Sequence, residues 1–209
     1  MTTIYLVRHS APFIDFENYS DYKNSLWKDC NRNMILSVEG EKNAEKLCDV
    51  EELNNIDEIY SADSYRAIGT AKYVAEKNNI LIKLDPRINE RELGIEKVAD
   101  LPENFTLDSF NNKDLKYKNG ESLSEVDIKF NDFIKDILTH DSKKIVLSIH
   151  GMILLSFLQN NCDFNFDGKI FNIKYNDKVI LNGKITNPDV YKIEYEDNKL
   201  INISRIEIL

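Results

Sequence analysis

Two short apolar runs place the strongest constraint on how this chain can fold. A histidine follows each run, directly in one case and after an arginine in the other. Residues 4–7 lead to Arg8 and His9, and residues 145–149 lead to His150. The second run is almost wholly apolar, which is typical of a central strand buried on both faces of a sheet. Ligand-binding and catalytic groups of open α/β sheets gather at the carboxyl ends of strands, so both histidines are predicted at a functional edge.

Strand-like and helical patterns alternate along the chain. Strands are predicted at residues 56–60 and 80–84, and helices at residues 37–48, 67–75, 124–138 and 151–158. The first of these helices has Ser37 as its expected N-cap. The C-terminal part alternates strand-like runs at residues 169–175, 190–195 and 200–208 with turn residues such as Asn182 and Gly183. The pattern predicts an α/β protein, a three-layer α/β/α sandwich with a mostly parallel mixed central sheet.

Two segments show no clear period, residues 11–35 and residues 95–119. The first holds aromatic residues among acids and asparagines, namely Phe13, Phe16, Tyr19, Tyr22 and Trp27. We expect both segments to cover the active site of a single domain that spans residues 1–209. The alternative is that the aromatic residues form a satellite cluster under long loops.

Composition limits the classes of partner. The chain has 209 residues with a formal net charge of -9, which argues against a broad nucleic-acid or anionic-membrane surface. The N-terminus has no basic leader, and no apolar run approaches the length of a membrane helix, so we expect a cytoplasmic protein. The cysteines, Cys30, Cys48 and Cys162, form no CxxC pair, so neither a disulfide framework nor a cysteine zinc site is expected.

The histidines allow more than one interpretation from their positions alone. A structural role is the ordinary one for a single buried histidine, and metal binding is a second possibility. However, the chain has no HxH or HExxH spacing, and Arg8 beside His9 would oppose a cation, so no metal site is expected. His140, beside Asp141 at the end of a predicted helix, is assigned no role.

Five motifs carry a resemblance to a known family. In chain order they are Leu6-Val7-Arg8-His9, residues 60–67 with Thr70-Ala71, Asn89-Glu90-Arg91 with Gly94, Gly120-Glu121-Ser122, and Ser148-Ile149-His150-Gly151. Their order and spacing resemble those of the histidine phosphatase superfamily, which has the phosphoglycerate-mutase-like fold. Residues 36–47, with Gly40 and Ala44, also resemble the first helix of that family.

The resemblance implies catalytic roles for three residues. His9 matches the nucleophile that accepts the phosphoryl group, a task that suits a neutral imidazole whose other nitrogen is held by an acceptor. His150 matches a second pocket histidine that donates to a phosphoryl oxygen. Glu90 matches the acid that protonates the leaving oxygen and then activates water, although the motif alone selects it over Glu92.

Substrate-binding roles are implied for four more residues. Arg8 and Arg66 match phosphate ligands, since their planar forks fit phosphoryl oxygens. Ser10 replaces a glycine common in the family, and its hydroxyl either donates to phosphate or simply fits. Arg91 either binds an anionic substrate tail or pairs with a neighbouring carboxylate.

Departures from the family pattern favour a phosphatase. Met152 stands where phosphoglycerate mutases typically have asparagine, and the loop between Gly94 and Gly120 lacks an arginine pair that mutases use for substrate. The expected activity is metal-independent hydrolysis of a small-molecule phosphate ester through a phosphohistidine on His9, with no cofactor. A diphosphoglycerate-dependent mutase and a non-catalytic phosphate-binding regulatory protein are the alternatives.

Overall fold

A six-stranded mixed sheet forms the centre of the fold in the computed structural model, which describes residues 1–14 and 23–208. The described strands are β1 Thr2–Arg8, β2 Glu58–Ser61, β3 Ile82–Leu84, β4 Lys144–Ile149, β5 Asp163–Phe166, β6 Phe171–Tyr175, β7 Lys178–Gly183, β8 Asp189–Glu196 and β9 Lys199–Ile206. The sheet has the order β3-β2-β4-β1-β8-β9. Its first four strands are parallel, and β8 and β9 are antiparallel additions. The predicted sheet is therefore confirmed, and β4, the most apolar run, lies inside it.

Helices cover both faces of this sheet. The described α-helices of seven or more residues are α1 Val38–Glu45, α2 Tyr65–Asn78, α3 Phe105–Asn111, α4 Leu123–Ile137 and α5 Gly151–Asn161. Alternate residues of β1 point to opposite faces, so Ile4 packs into the core on the α4 and α5 side. Tyr5 packs into a second core with α2 and the short 3₁₀ turns that follow α1. The predicted three-layer sandwich is confirmed.

Side-chain caps explain where two of the helices begin. Ser37 Oγ accepts a hydrogen bond from the Gly40 amide at 2.9 Å, which confirms the predicted N-cap of α1. The helix ends at Glu45, earlier than predicted, because the chain tightens into a 3₁₀ turn at Lys46–Asp49. Ser122 and Glu125 form a capping box at the start of α4.

The predicted turn at Asn182 and Gly183 is wrong. Both residues lie in β7, where Asn182 pairs with Asn172 of β6. The β6–β7 turn is made by Asn176 and Asp177, whose φ angles of 47° and 64° are the left-handed conformations that a tight hairpin requires. Strands β5, β6 and β7 form a small antiparallel sheet, in which neither β5 nor β7 was predicted.

The two irregular segments hydrogen-bond to each other. The Trp27 amide donates to Glu96 O at 2.8 Å, and the Val98 amide donates to Ser25 O at 3.2 Å. The second segment also contains α3, which its weak periodicity did not predict. Of the aromatic residues in the first segment, Phe16, Tyr19 and Tyr22 lie outside the described residues. That the two segments cover the active site stays a prediction.

No helix in residues 1–14 and 23–208 combines the length and the apolar character that crossing a lipid bilayer would demand.

Candidate active site

The two predicted histidines meet at the carboxyl ends of adjacent parallel strands. Arg8 is in register with Ile149, and the His9 amide continues the ladder by donating to Ile149 O at 3.0 Å. This pairing places the next residues, His9 and His150, side by side with ring centroids 5.0 Å apart and planes inclined by 61°. Strand pairing alone therefore brings together two residues separated by about 140 positions of sequence.

Arg66 joins the two imidazoles. It lies at the start of α2, just after β2, and its side chain is 6% exposed. Its Nε donates to His9 Nε2 at 3.2 Å, and its Nη2 donates to His150 Nδ1 at 3.0 Å. Nη1 donates to the carbonyl oxygens of Cys30 and Asn31. Arg66 is therefore buried between the two histidines and is not exposed on the surface of α2.

Backbone contacts select the tautomer of His9. Its Nδ1 lies 2.8 Å from the Ser10 carbonyl oxygen, which can only accept, so Nδ1 carries the proton. Nε2 is then the lone-pair nitrogen that faces Arg66. By the same reasoning, His150 accepts from Arg66 at Nδ1 and donates from Nε2 to Ser64 Oγ at 3.0 Å. Both rings are held as neutral imidazoles with defined orientations.

The surroundings keep both imidazoles uncharged. Burial, together with the nearby Arg66 cation, lowers the pKa of His9 from 6.5 to about 3. Burial and the same cation hold the pKa of His150 well below its ordinary value. His9 Nε2 therefore stays unprotonated across the physiological pH range, with its lone pair accepting from Arg66 Nε.

The pKa of Glu90 is shifted in the opposite direction. It follows β3 and a 3₁₀ turn, and its Oε2 lies 3.8 Å from His150 Nδ1 while its side chain is 14% exposed. Burial raises the pKa of this carboxyl, although the Arg91 amide that donates to Oε1 and the nearby cations oppose the shift. A carboxyl with a raised pKa near a neutral imidazole is the arrangement that acid–base chemistry requires.

A small polar cavity of about 210 Å³ opens onto this group of residues. Its lining residues are Asn31, Arg32, Asp63, Ser64, Asn89, Glu90, Glu92 and His150. Neither His9 nor Arg66 is among them. The Arg66 guanidinium covers the Nε2 atom of His9. A larger cavity of about 390 Å³, beside Asn187 and Arg205, is lined by none of the predicted site residues.

Arg8 lies next to this group with an unsatisfied donor. Its Nη1 donates to the carbonyl oxygens of Ile185 and Thr186, at 3.2 and 2.8 Å. Its Nε is buried and donates to no group in the described residues. Burial lowers the pKa of Arg8, and the nearby charge of Glu90 opposes this shift. Arg8 is therefore placed to add positive charge at the end of β1.

Two predicted substrate ligands are not brought to the cavity. The Ser10 hydroxyl is fully buried and donates to Gly40 O at 2.7 Å, so it fits the structure rather than facing a ligand. Gly40 is required there because a Cβ would lie 2.0 Å from the Ala11 carbonyl oxygen. Arg91 is 1% exposed and does not line this cavity. Among the described residues, no carboxylate forms an ion pair with its guanidinium.

The guanidinium of Arg91 is used to hold loops together. It donates to Glu121 O, Ser109 Oγ and Leu115 O at 2.8 to 3.0 Å and lies over the Phe105 ring. These acceptors come from the 95–119 segment and the loop before α4, which no local pattern around Arg91 reveals.

Sequence reasoning assigned no positioning role to two residues that hold the site in place, although Thr70 stands in one of the quoted motifs. Thr70 Oγ1 accepts from the Ser10 amide and donates to Arg66 O, both at 2.8 Å, so it links the nucleophile turn to α2. Its spacing of four residues from Arg66 was the available signal. Asn187 Nδ2 donates to His9 O at 2.8 Å, and nothing in the sequence around Asn187 indicates that contact.

No group of three or more histidine, cysteine, aspartate or glutamate side chains is placed to bind a metal ion within the described part of the chain.

Comparison with known proteins agrees with this geometry. The chain belongs to the histidine phosphatase superfamily (branch 1), whose family model matches residues 4–176. The resemblance found in the motifs is thereby confirmed. A comparison with curated proteins finds no match.

Several solved structures share the fold. A mycobacterial glucosyl-3-phosphoglycerate phosphatase in complex with inorganic phosphate aligns with a TM-score of 0.70 at 16% identity, over 99% of this chain and 96% of that one. YhfR from Bacillus stearothermophilus aligns with a TM-score of 0.68 at 20% identity, over 96% and 95%. A phosphoglycerate mutase from Bacillus anthracis aligns with a TM-score of 0.65 at 17% identity, over 98% and 92%. At these identities the likeness is one of fold.

The buried neutral state of His9 predicts a specific pH dependence of stability. Its folded pKa lies below its unfolded value near 6.5, so the unfolded chain binds the proton first and stability is lost as pH falls from about 6.5 toward 3. Between about pH 7 and pH 5.5, this one histidine should cost about 1 kcal/mol of unfolding free energy.

Urea unfolding of the wild-type protein and His9→Asn at both pH values measures this effect. The loss on acidification should be smaller in the variant by about 1 kcal/mol. The raised pKa of Glu90 acts in the opposite direction, but it is present in both proteins and largely cancels in the comparison. Identical losses in the two proteins would show that His9 is not held neutral by folding.

Proposed function

We propose that the protein is a metal-independent phosphomonoesterase that hydrolyses a small phosphorylated substrate through a phosphohistidine on His9. The observation that carries this proposal is the contact of Ser10 O with His9 Nδ1, which leaves Nε2 unprotonated beside the Arg66 guanidinium. An unprotonated imidazole nitrogen next to a phosphate-binding fork is suited to attack phosphorus.

Binding of the phosphoryl group would change the partners of the arginine. The phosphoryl oxygens are stronger acceptors than imidazole nitrogens, so they would replace His9 Nε2 and His150 Nδ1 as acceptors for Arg66. This exchange frees the lone pair of His9 at the moment the substrate arrives. Arg8, Arg66 and the N-terminal ends of α2 and α5 would then face the phosphoryl oxygens with positive charge.

The chemical step balances with one acid. His9 Nε2 forms the bond to phosphorus while the ester bond breaks, and Glu90 gives its proton to the leaving oxygen. Glu90, now a carboxylate, takes a proton from water, whose oxygen attacks phosphorus and displaces His9. Inorganic phosphate leaves, the lone pair returns to Nε2, and Glu90 is again a carboxylic acid.

Replacement of the nucleophile gives the first test. His9→Ala should lower release of inorganic phosphate from p-nitrophenyl phosphate by at least about 1,000-fold, because the variant lacks the nitrogen that forms the bond to phosphorus. A chelator should leave wild-type activity unchanged. The matched control is His140→Ala, which removes the histidine that is remote from the site and bonded to Glu58. Full activity in His9→Ala, or loss of wild-type activity on chelation, contradicts the proposal.

Replacement of the acid gives a test that depends on the leaving group. Glu90→Gln should slow hydrolysis of an alkyl phosphate such as ethyl phosphate by about 100-fold or more, because an alkoxide leaves only with a proton. The p-nitrophenolate ion leaves without one, so the variant should release a rapid burst of one equivalent and then turn over slowly.

The pH profile gives the same test a second readout. Wild-type kcat/KM for ethyl phosphate should fall as pH rises through the raised pKa of Glu90, and the variant should lack this alkaline decline. Equal loss for both leaving groups, without a burst, would assign Glu90 a structural role only.

A further inference from the structure

We propose that the site selects phosphate monoesters whose carbon skeleton carries hydrogen-bond donors, hydroxyl or ammonium, near the phosphate, and that it disfavours a carboxylate on that skeleton. The selecting groups are Asn31 and Glu92 in the wall of the cavity. This inference rests on the proposed phosphatase function and names its substrate class.

Asn31 presents an acceptor that has no partner. The residue is 8% exposed, and its Nδ2 donates to Glu92 Oε1 at 3.2 Å. That contact fixes the orientation of the amide, because the flipped amide would set its oxygen against a carboxylate oxygen. Asn31 Oδ1 is buried and accepts no hydrogen bond from the described residues. Buried acceptors are nearly always satisfied, so a donor from a bound molecule is the natural partner.

The unpaired oxygen belongs to a residue that touches the phosphoryl-binding group. Arg66 Nη1 donates to the backbone oxygen of Asn31, while its other nitrogens reach the two histidines. Asn31 is therefore adjacent to the expected phosphate position. A donor that reaches Oδ1 must lie on the part of the substrate close to the ester oxygen.

The charges of the cavity wall act against a carboxylate. Arg32 is the only cation among the lining residues, and it is paired with Asp63 at 3.2 Å. Glu92 makes no ion pair with any described residue, so its negative charge is uncompensated within the part of the chain that is described. A substrate carboxylate would meet this charge and an orphan acceptor, whereas a hydroxyl or ammonium group would satisfy both.

Two nearly isosteric substrates test the proposal. Glycerol 3-phosphate and 3-phosphoglycerate both carry a hydroxyl on the central carbon. They differ in having a hydroxymethyl group or a carboxylate at the far carbon, so this pair tests the effect of the carboxylate. We expect kcat/KM to be at least about 100-fold higher for glycerol 3-phosphate. Ethanolamine phosphate tests an ammonium donor, and ethyl phosphate, which has no donor, gives the reference. A preference for either donor over ethyl phosphate supports the proposal, and the better of the two identifies the donor.

Variants connect the preference to the two residues. Asn31→Leu keeps the side-chain size and should reduce the preference for glycerol 3-phosphate over ethyl phosphate by about 10-fold. Glu92→Gln still accepts from Asn31 and should raise kcat/KM for 3-phosphoglycerate, relative to glycerol 3-phosphate, by about 10-fold. Glu103→Gln, an exposed acid outside the cavity, is the control and should change neither ratio.

The outcomes separate this inference from the proposed function. If p-nitrophenyl phosphate is hydrolysed with dependence on His9, but 3-phosphoglycerate equals or exceeds glycerol 3-phosphate, the selection is wrong and the phosphatase stands. The proposed selection would also be wrong if Glu92→Gln left the ratio of kcat/KM for 3-phosphoglycerate to that for glycerol 3-phosphate unchanged. This outcome does not depend on whether Asn31→Leu folds. Absence of any His9-dependent hydrolysis would overturn both proposals.

Discussion

The buried Arg66 guanidinium is the interaction on which the candidate site depends. One cation donates to both imidazoles and to the carbonyl oxygens of Cys30 and Asn31, so it connects three distant parts of the chain. A buried cation is tolerated only when acceptors surround it, and neutral imidazoles are suitable acceptors. The same charge opposes protonation of His9 and His150, so the contacts that satisfy the buried cation also keep both imidazoles neutral.

Burial has opposite effects on the two kinds of titratable group at this site. It lowers the pKa of the histidines because their charged form is cationic, and it raises the pKa of Glu90 because its charged form is anionic. Burial thus favours the uncharged form of the histidines and of the Glu90 carboxyl at the same site. The parallel strands bring these groups together at one edge of the sheet. That edge carries the four residues that follow β1, β2, β3 and β4, which are His9, Arg66, Glu90 and His150.

The sequence predicts well what depends on local pattern. Apolar runs and helical spacing identify the central strands, and the strand ends locate His9 and His150. Arg91 shows the limit, because its acceptors, Ser109 Oγ among them, come from a segment without periodicity. Asn31 was missed for the same reason, since its role depends on Arg66 and Glu92, which approach it only through the tertiary fold. Side-chain partners across long sequence separations are not encoded in local spacing.

The position of the phosphoryl group on the trapped intermediate tests the central claim most directly. Glu90→Gln, mixed with p-nitrophenyl phosphate and quenched in alkali, can be digested and its phosphopeptide examined by ³¹P NMR and mass spectrometry. Because Ser10 O holds the proton on Nδ1 of His9, the phosphoryl group should be found on Nε2 of that residue. A phosphoryl group on Nδ1 of His9, on His150 or on any other side chain would contradict the account.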